Sequence, residues 1–145
     1  MTAAAYSEAV RARCRDPKRA GGWPAGTPGV GTGERGSLDD GAWAQVQVHV
    51  AHGHDVIDDA RFRVFGCSAA LASASWVAEA LVGLSPLEAP AIEAEAVARA
   101  LDLPADKVGM AALAAAAARA AVTDWVDRHR DAGPERHRDR VDTGR

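Results

Sequence analysis

Two segments in the middle of the chain alternate between apolar and polar residues with the period of two that is typical of half-buried strands. In the first, residues 43–50, valines occupy one face and glutamines and a histidine the other. In the second, residues 56–65, the alternation returns after the turn formed by residues 51–55. The pattern predicts an antiparallel hairpin with one face in the core.

Other stretches place apolar residues on one face of a helix. These stretches are residues 6–15, 71–81, 92–101 and the alanine-rich segment 106–130. The first should end before Asp16-Pro17, because the residue that precedes a proline avoids the helical region. Hairpin and helices together predict the α+β class, with a small, mainly antiparallel sheet, helices packed on it and a long C-terminal helix.

The remaining segments have little apolar periodicity. Residues 21–41 are rich in Gly, Pro, Thr and Ser, which predicts a long loop with a short strand near Val30. Residues 131–145 are charged and contain Gly133 and Pro134, which is typical of a disordered tail. We therefore expect one domain over residues 1–130, followed by the tail 131–145.

Composition excludes several classes of protein. The chain is 48% hydrophobic and 26% charged, as a globular domain is, and its formal net charge of -3 argues against a dedicated nucleic-acid binder. No apolar run is long enough to span a bilayer and no secretory leader is visible, so we expect a cytoplasmic protein without a membrane partner. Its 2 cysteines, Cys14 and Cys67, imply no disulfide framework.

Cys67 lies where the strand pattern changes to a helix pattern. A thiol there faces the N–H groups and the positive end of the helix dipole, which favour the thiolate. In an antiparallel hairpin, the start of the first strand and the end of the second meet at one end of the sheet. We therefore expect Asp40 near Cys67, and the turn with His52 and His54 at the opposite end.

Five segments match one family in order and spacing: 6–10 (Tyr-Ser-Glu-Ala-Val), 16–21 (Asp-Pro-Lys-Arg-Ala-Gly), 30–33 (Val-Gly-Thr-Gly), 57–62 (Ile-Asp-Asp-Ala-Arg-Phe) and 65–75 (Phe-Gly-Cys-Ser-Ala-Ala-Leu-Ala-Ser-Ala-Ser). The chain resembles the U-type scaffold proteins of iron–sulfur cluster assembly, also found as the N-terminal domain of the nitrogen-fixation scaffold. The resemblance covers roughly residues 6–130. It implies a three-stranded sheet and a scaffold rather than an enzyme.

The resemblance also locates the ligands of the cluster. It implies that Cys67 is the second of three family cysteines, and that Asp40 stands where the first would be. Gly109 and Met110 replace the family's His-Cys pair. The resemblance thus implies that iron or a [2Fe–2S] cluster, which normally needs four ligands, is bound weakly, with ligands from a partner, or not at all. The carboxylate of Asp40 should also raise the pKa of Cys67.

Three functions remain open. The first is a divergent assembly scaffold that works with a cysteine desulfurase or another scaffold chain, as a homo- or hetero-oligomer, or with an external thiol that supplies missing ligands. The second is a persulfide acceptor that uses Cys67 without a cluster. The third is a non-catalytic binding or regulatory module that reuses the fold. No phosphate-binding glycine loop or catalytic triad is indicated by the sequence.

Several other residues have simpler interpretations. Cys14 stands where the family usually has an aromatic residue and is interpreted as a packed thiol. Trp23, in the Gly-rich loop, would indicate a partner contact if its ring were exposed. A basic cluster near the N-terminus is interpreted as a solvated helix end, with docking onto an acidic partner as the alternative: Arg11, Arg13, Arg15, Lys18 and Arg19. The histidines are interpreted as solvated, with a His-x-His metal pair as the alternative for His52 and His54: His49, His52, His54, His129 and His137.

Overall fold

A computed structural model of the protein describes residues 6–89 and 92–131. Along the chain these form α1 (Glu8–Arg15), β1 (Val30–Ser37), β2 (Ala42–His49), β3 (Asp59–Phe65), α2 (Ser68–Leu81), α3 (Ala94–Leu101), a 3₁₀ turn (Ala105–Lys107) and α4 (Val108–Asp131). The strands make one antiparallel sheet in the order β1-β2-β3. The predicted α+β class with its long C-terminal helix is confirmed. Beyond Asp131, the predicted tail lies outside the described residues.

The predicted hairpin is formed by β2 and β3, and its apolar face is the centre of the core. Val46 lies opposite Phe62 and Val48 opposite Ala60 in the register of the pair. All four side chains are at most 2% exposed. α2 packs on β3 and α4 packs on β1 and β2, so the sheet is covered by helices on this face.

The Gly-rich segment is more ordered than its sequence predicts, because residues 30–37 form the complete strand β1 rather than a short strand in a long loop. Glycine disfavours strands, so the pattern is weak there. The strand carries glycines because the backbone of α4 approaches it closely. A Cβ added to Gly31 would lie 2.4 Å from the Ala121 carbonyl oxygen, and one added to Gly33 would lie 2.2 Å from the Ala121 nitrogen.

The polar face of the hairpin is partly covered as well. Gln47 belongs to this face by its position, yet it is only 3% exposed. Its side-chain oxygen accepts the Trp23 backbone N–H at 2.8 Å, and its Nε2 donates to the Trp23 carbonyl at 3.1 Å and to Thr32 Oγ1 at 3.0 Å. The buried amide therefore holds the segment around Trp23 against the sheet.

Candidate thiol site at the start of the second helix

Cys67 is the N-cap residue of α2, with extended backbone angles of φ -81° and ψ 178°. Gly66 joins it to the end of β3 at a place where the chain is tightly packed. A Cβ on Gly66 would lie 3.1 Å from the Ala70 Cβ and 3.6 Å from the Ala42 Cβ. The end of β3 and the start of β2 therefore lie against the first turn of α2, and the half-buried Cys67 thiol lies at that junction.

The surroundings of Cys67 favour its thiolate. Burial alone raises the pKa of the thiol, but the backbone N–H groups of Ala70 and Ala69, the charge of Lys107 and the hydroxyl of Tyr6 together lower it below its ordinary value. The Sγ makes no cap hydrogen bond of ordinary length. The N–H groups nevertheless lie close enough to stabilise a negative sulfur.

Two side chains from distant parts of the sequence complete the site. The Nζ of Lys107 lies 3.8 Å from the Sγ of Cys67 and donates to it. Tyr6 precedes α1, and its side chain and Cys67 influence each other: burial and then the charge of Cys67 raise the pKa of Tyr6. Neither residue was predicted to be part of the site. Their only signal was that Tyr6 belongs to the matched segment 6–10 and that Lys107 lies just before Gly109 and Met110, which replace two family ligands.

Asp40 lies at the predicted end of the hairpin. The β1–β2 connection begins after the pair Ser37–Ala42, and the next pair along β2 joins Trp43 to Phe65, just before Cys67. Asp40 is exposed, and its backbone N–H donates to Ser37 Oγ at 3.0 Å. The expected rise in the pKa of Cys67 is wrong, because the pKa is lowered and Asp40 is not among its main determinants.

The positions that correspond to the family's His-Cys pair lie in the first turn of α4, two and three residues after Lys107. Gly109 is exposed, and a Cβ added to it would meet nothing within 4 Å. Met110 is half-buried. Within residues 6–89 and 92–131, no three His, Cys, Asp or Glu side chains are arranged to hold a metal ion. Cys67 and Asp40 are thus near one end of the sheet without a further family ligand beside them.

The histidines lie at the opposite end of the hairpin. His49 and His129 are half-buried rather than solvated as predicted. The Nδ1 of His49 lies 2.6 Å from Asp58 Oδ1, and His129 stacks on Trp125 with ring centroids 4.1 Å apart. Exposed His52 and His54 line the same groove. This groove is remote from Cys67, and His137 lies outside the described residues.

The basic cluster is internally paired. The guanidinium groups of Arg11 and Arg15 both reach Glu8, Arg13 pairs with Glu79 at 2.7 Å, Lys18 pairs with Asp16 at 2.8 Å, and Arg19 pairs with Asp59 at 2.7 Å. Trp23 is half-buried, and the Arg61 guanidinium lies 4.2 Å from its ring centroid. The Trp23 ring therefore packs against Arg61 within the molecule and is not fully exposed for a partner.

The sheet, the Cys67 thiol at the helix start and the lysine beside it together define a small α+β domain that holds a thiol next to a cation. The chain belongs to the NifU-like N terminal domain family, whose profile matches residues 5–132. It is 37% identical over 121 residues to the iron-sulfur cluster assembly scaffold protein IscU of Haemophilus influenzae, covering 83% of this chain and 95% of that protein. The corresponding protein of Escherichia coli K12 is 36% identical, with 83% and 94% covered.

A solved structure shares the fold. The FiSufU protein of Fervidobacterium islandicum AW-1 superposes with a TM-score of 0.56 at 18% identity, over 84% of this chain and 99% of that one. The relatives are named as assembly scaffolds, and this chain is a non-enzymatic member of their family. No helix within the described part of the chain is long and apolar enough to cross a membrane.

Proposed function

We propose that the protein works in cytoplasmic iron–sulfur cluster assembly as a scaffold-family member whose Cys67 accepts sulfur. It holds iron or a [2Fe–2S] cluster weakly, or only with ligands from a partner. The observation that carries the proposal is the contact of 3.8 Å between Lys107 Nζ and Cys67 Sγ at a helix N-terminus. A lysine and helix N–H groups around one thiol favour the thiolate, which is the form that attacks sulfur.

The chemistry of sulfur uptake needs one such thiolate. Cys67 attacks the outer sulfur of a persulfide on a cysteine desulfurase, a new S–S bond forms, and the desulfurase cysteine leaves as its thiolate. The ammonium of Lys107 then lies beside the newly acquired sulfur, and the Tyr6 hydroxyl can donate to it. No oxidant is required, because the sulfur arrives already at the oxidation level of a persulfide.

Cluster binding is limited by the ligands. Cys67 offers one thiolate and Asp40 one carboxylate, whereas a [2Fe–2S] cluster takes four ligands, mostly thiolates. Gly109 has no side chain to offer, and the thioether of Met110 is a weak ligand. A partner chain therefore has to complete the set for any cluster that this protein carries as cargo.

The surface around Cys67 is suited to such a partner. Leu38 is 63% exposed, Phe65 51% and Val108 36%, and each belongs to a segment that adjoins the thiol site. Apolar side chains that surround a reactive group are typical of a docking surface. We assign this surface, here called the thiol-end patch, to the desulfurase or to another scaffold chain.

The test is sulfur transfer under anaerobic conditions. The purified protein is incubated with a bacterial cysteine desulfurase and cysteine, and intact-mass spectrometry follows the addition of one sulfur atom. We expect the addition in Cys14→Ser, which keeps Cys67 as its one thiol, and its loss in Cys67→Ser. Equal labelling of Cys67→Ser would reject Cys67 as the acceptor.

Adding ferrous iron to the same reaction tests the second half of the proposal. We expect little protein-bound iron and sulfide after gel filtration of the wild type alone. Stoichiometric iron and sulfide on the isolated chain would contradict the ligand-loss argument.

A further inference from the structure

A second thiol lies against the first residue of the helix that Cys67 precedes. Cys14 is in the last turn of α1, and its Sγ is 3.6 Å from the carbonyl oxygen of Ser68, the residue that follows Cys67. Both cysteines are free and partly exposed. The two thiols of this chain, separated by more than 50 positions in sequence, therefore adjoin the same helix start.

The position of α1 is set by other contacts. The Ser7 hydroxyl donates to the Leu101 carbonyl at 2.5 Å, and Val10 is fully buried. Arg13 reaches Ser75 Oγ at 3.0 Å and Glu79 at 2.7 Å. The contact of Cys14 with Ser68 is a weak S–H···O hydrogen bond that the fold does not need, because carbonyls within a helix already accept backbone N–H groups.

We propose that Cys14 is the resolving thiol for Cys67. In this step, which rests on the proposed function, the Cys14 thiolate attacks the inner sulfur of the Cys67 persulfide. The bond between Cys67 and the outer sulfur breaks, a Cys14–Cys67 disulfide forms, and the outer sulfur leaves as hydrosulfide. The two thiols supply the two electrons that convert persulfide sulfur into sulfide, the form that iron–sulfur clusters contain.

The cycle closes with a dithiol reductant. Such a reductant attacks the Cys14–Cys67 disulfide, takes the oxidising equivalents as its own disulfide and restores both thiols. A disulfide requires the two Cα atoms to lie within about 7 Å. The step therefore also requires that the last turn of α1 approach Cys67 to that distance.

The experiment loads sulfur chemically, so that it does not depend on any desulfurase. The reduced full-length protein is treated with inorganic polysulfide, freed of excess reagent, and incubated without added thiol. Sulfide release is measured, and peptide mass spectrometry locates the sulfur and any disulfide. We expect the wild type to release sulfide at least about tenfold faster than Cys14→Ser, since an intramolecular thiol acts at a high effective concentration.

The products distinguish the alternatives. We expect a Cys14–Cys67 disulfide in the wild type and a persistent Cys67 persulfide in Cys14→Ser. Equal release rates, a wild type without the disulfide, or a Cys14→Ser protein without a Cys67 persulfide would each overturn the inference. Cys14→Ala controls for a loss of packing, and the urea midpoint of unfolding is measured for both variants. If a variant releases sulfide as fast as the wild type and only its unfolding midpoint is lower, Cys14 serves packing alone.

The proposed function and this inference can fail separately. If polysulfide loads Cys67 and the disulfide forms, but a desulfurase transfers no sulfur, the inference stands and the sulfur-acceptor function falls. If the desulfurase loads Cys67 and the persulfide then persists equally with and without Cys14, the function stands and the inference falls.

Discussion

Lys107 Nζ lies 3.8 Å from Cys67 Sγ and so joins the start of α4 to the start of α2. The lysine precedes the two positions where the resemblance expects a histidine and a cysteine. Its charge is retained beside the thiol although those two ligands are absent. The chemistry of the site therefore depends on a thiol beside a cation more than on any arrangement of metal ligands.

Removing the lysine should make Cys67 less reactive. Lys107 lowers the pKa of the thiol, so Lys107→Met raises that pKa, and the thiolate fraction at any pH below it falls. We expect iodoacetamide alkylation of Cys67 near neutral pH to slow several-fold and its pH profile to move to higher pH. Tyr6→Phe should act in the same direction. Lys18→Met is the control, because Lys18 pairs with Asp16 instead.

Restoring the ligands implied by the resemblance should restore a cluster. The triple variant Asp40→Cys, Gly109→His and Met110→Cys would provide three thiolates and one imidazole with Cys67, and Gly109 has open space for a side chain. After reconstitution with ferrous iron and sulfide, we expect visible absorption and about two irons and two sulfides per chain, as a [2Fe–2S] cluster requires. The same triple variant with Cys67→Ser should lose the cluster. An unchanged, colourless triple variant would mean that Asp40 is misaligned or that α4 starts too far away.

The thiol-end patch should contribute to partner binding. Phe65 is 51% exposed, so Phe65→Asp removes apolar contact area and introduces a charge at little cost to folding. We expect its affinity for a cysteine desulfurase, measured by titration calorimetry, to fall about tenfold or more, as the loss of an interface anchor does. Leu87→Asp is the matched control, because Leu87 is 88% exposed at the histidine end of the molecule. Equal losses for the two variants would place the partner elsewhere.

The glycines of β1 should be required for the packing of α4. Gly33→Ala places a Cβ 2.2 Å from the Ala121 nitrogen and 2.4 Å from the Ala117 carbonyl, so the helix must shift. We expect a loss of about 1–3 kcal/mol or more in the free energy of unfolding, measured in urea. Gly109→Ala is the control in open space on α4 and should gain up to about 1 kcal/mol. A neutral Gly33→Ala would refute the close contact.

The hairpin and the helices could be predicted because the order of apolar and polar residues within each segment indicates which of its faces is buried. Valines at alternate positions of β2 indicate one buried face, and the apolar stripe of α3 indicates one buried side. The strand β1 could not be predicted as fully, because Gly31 and Gly33 have no apolar side chains to alternate. Gln47 had the pattern of a solvated residue, and only the packing of Trp23 and Thr32 around its amide accounts for its burial.

By itself, the sequence determined the α+β class, the family and the place of Cys67 at a strand-to-helix junction, because these depend on short periodic patterns and on motif order. Only the tertiary structure decided what surrounds the sulfur. Tyr6 and Lys107 lie far from Cys67 in the chain, and no local pattern in the sequence indicates contacts that form only on folding. The lowering of the Cys67 pKa also depends on groups that only folding brings to the sulfur. Backbone N–H groups, Lys107 and Tyr6 act on the sulfur at short range, whereas Asp40, at the same end of the sheet, is turned to solvent on an exposed loop, where water screens its charge.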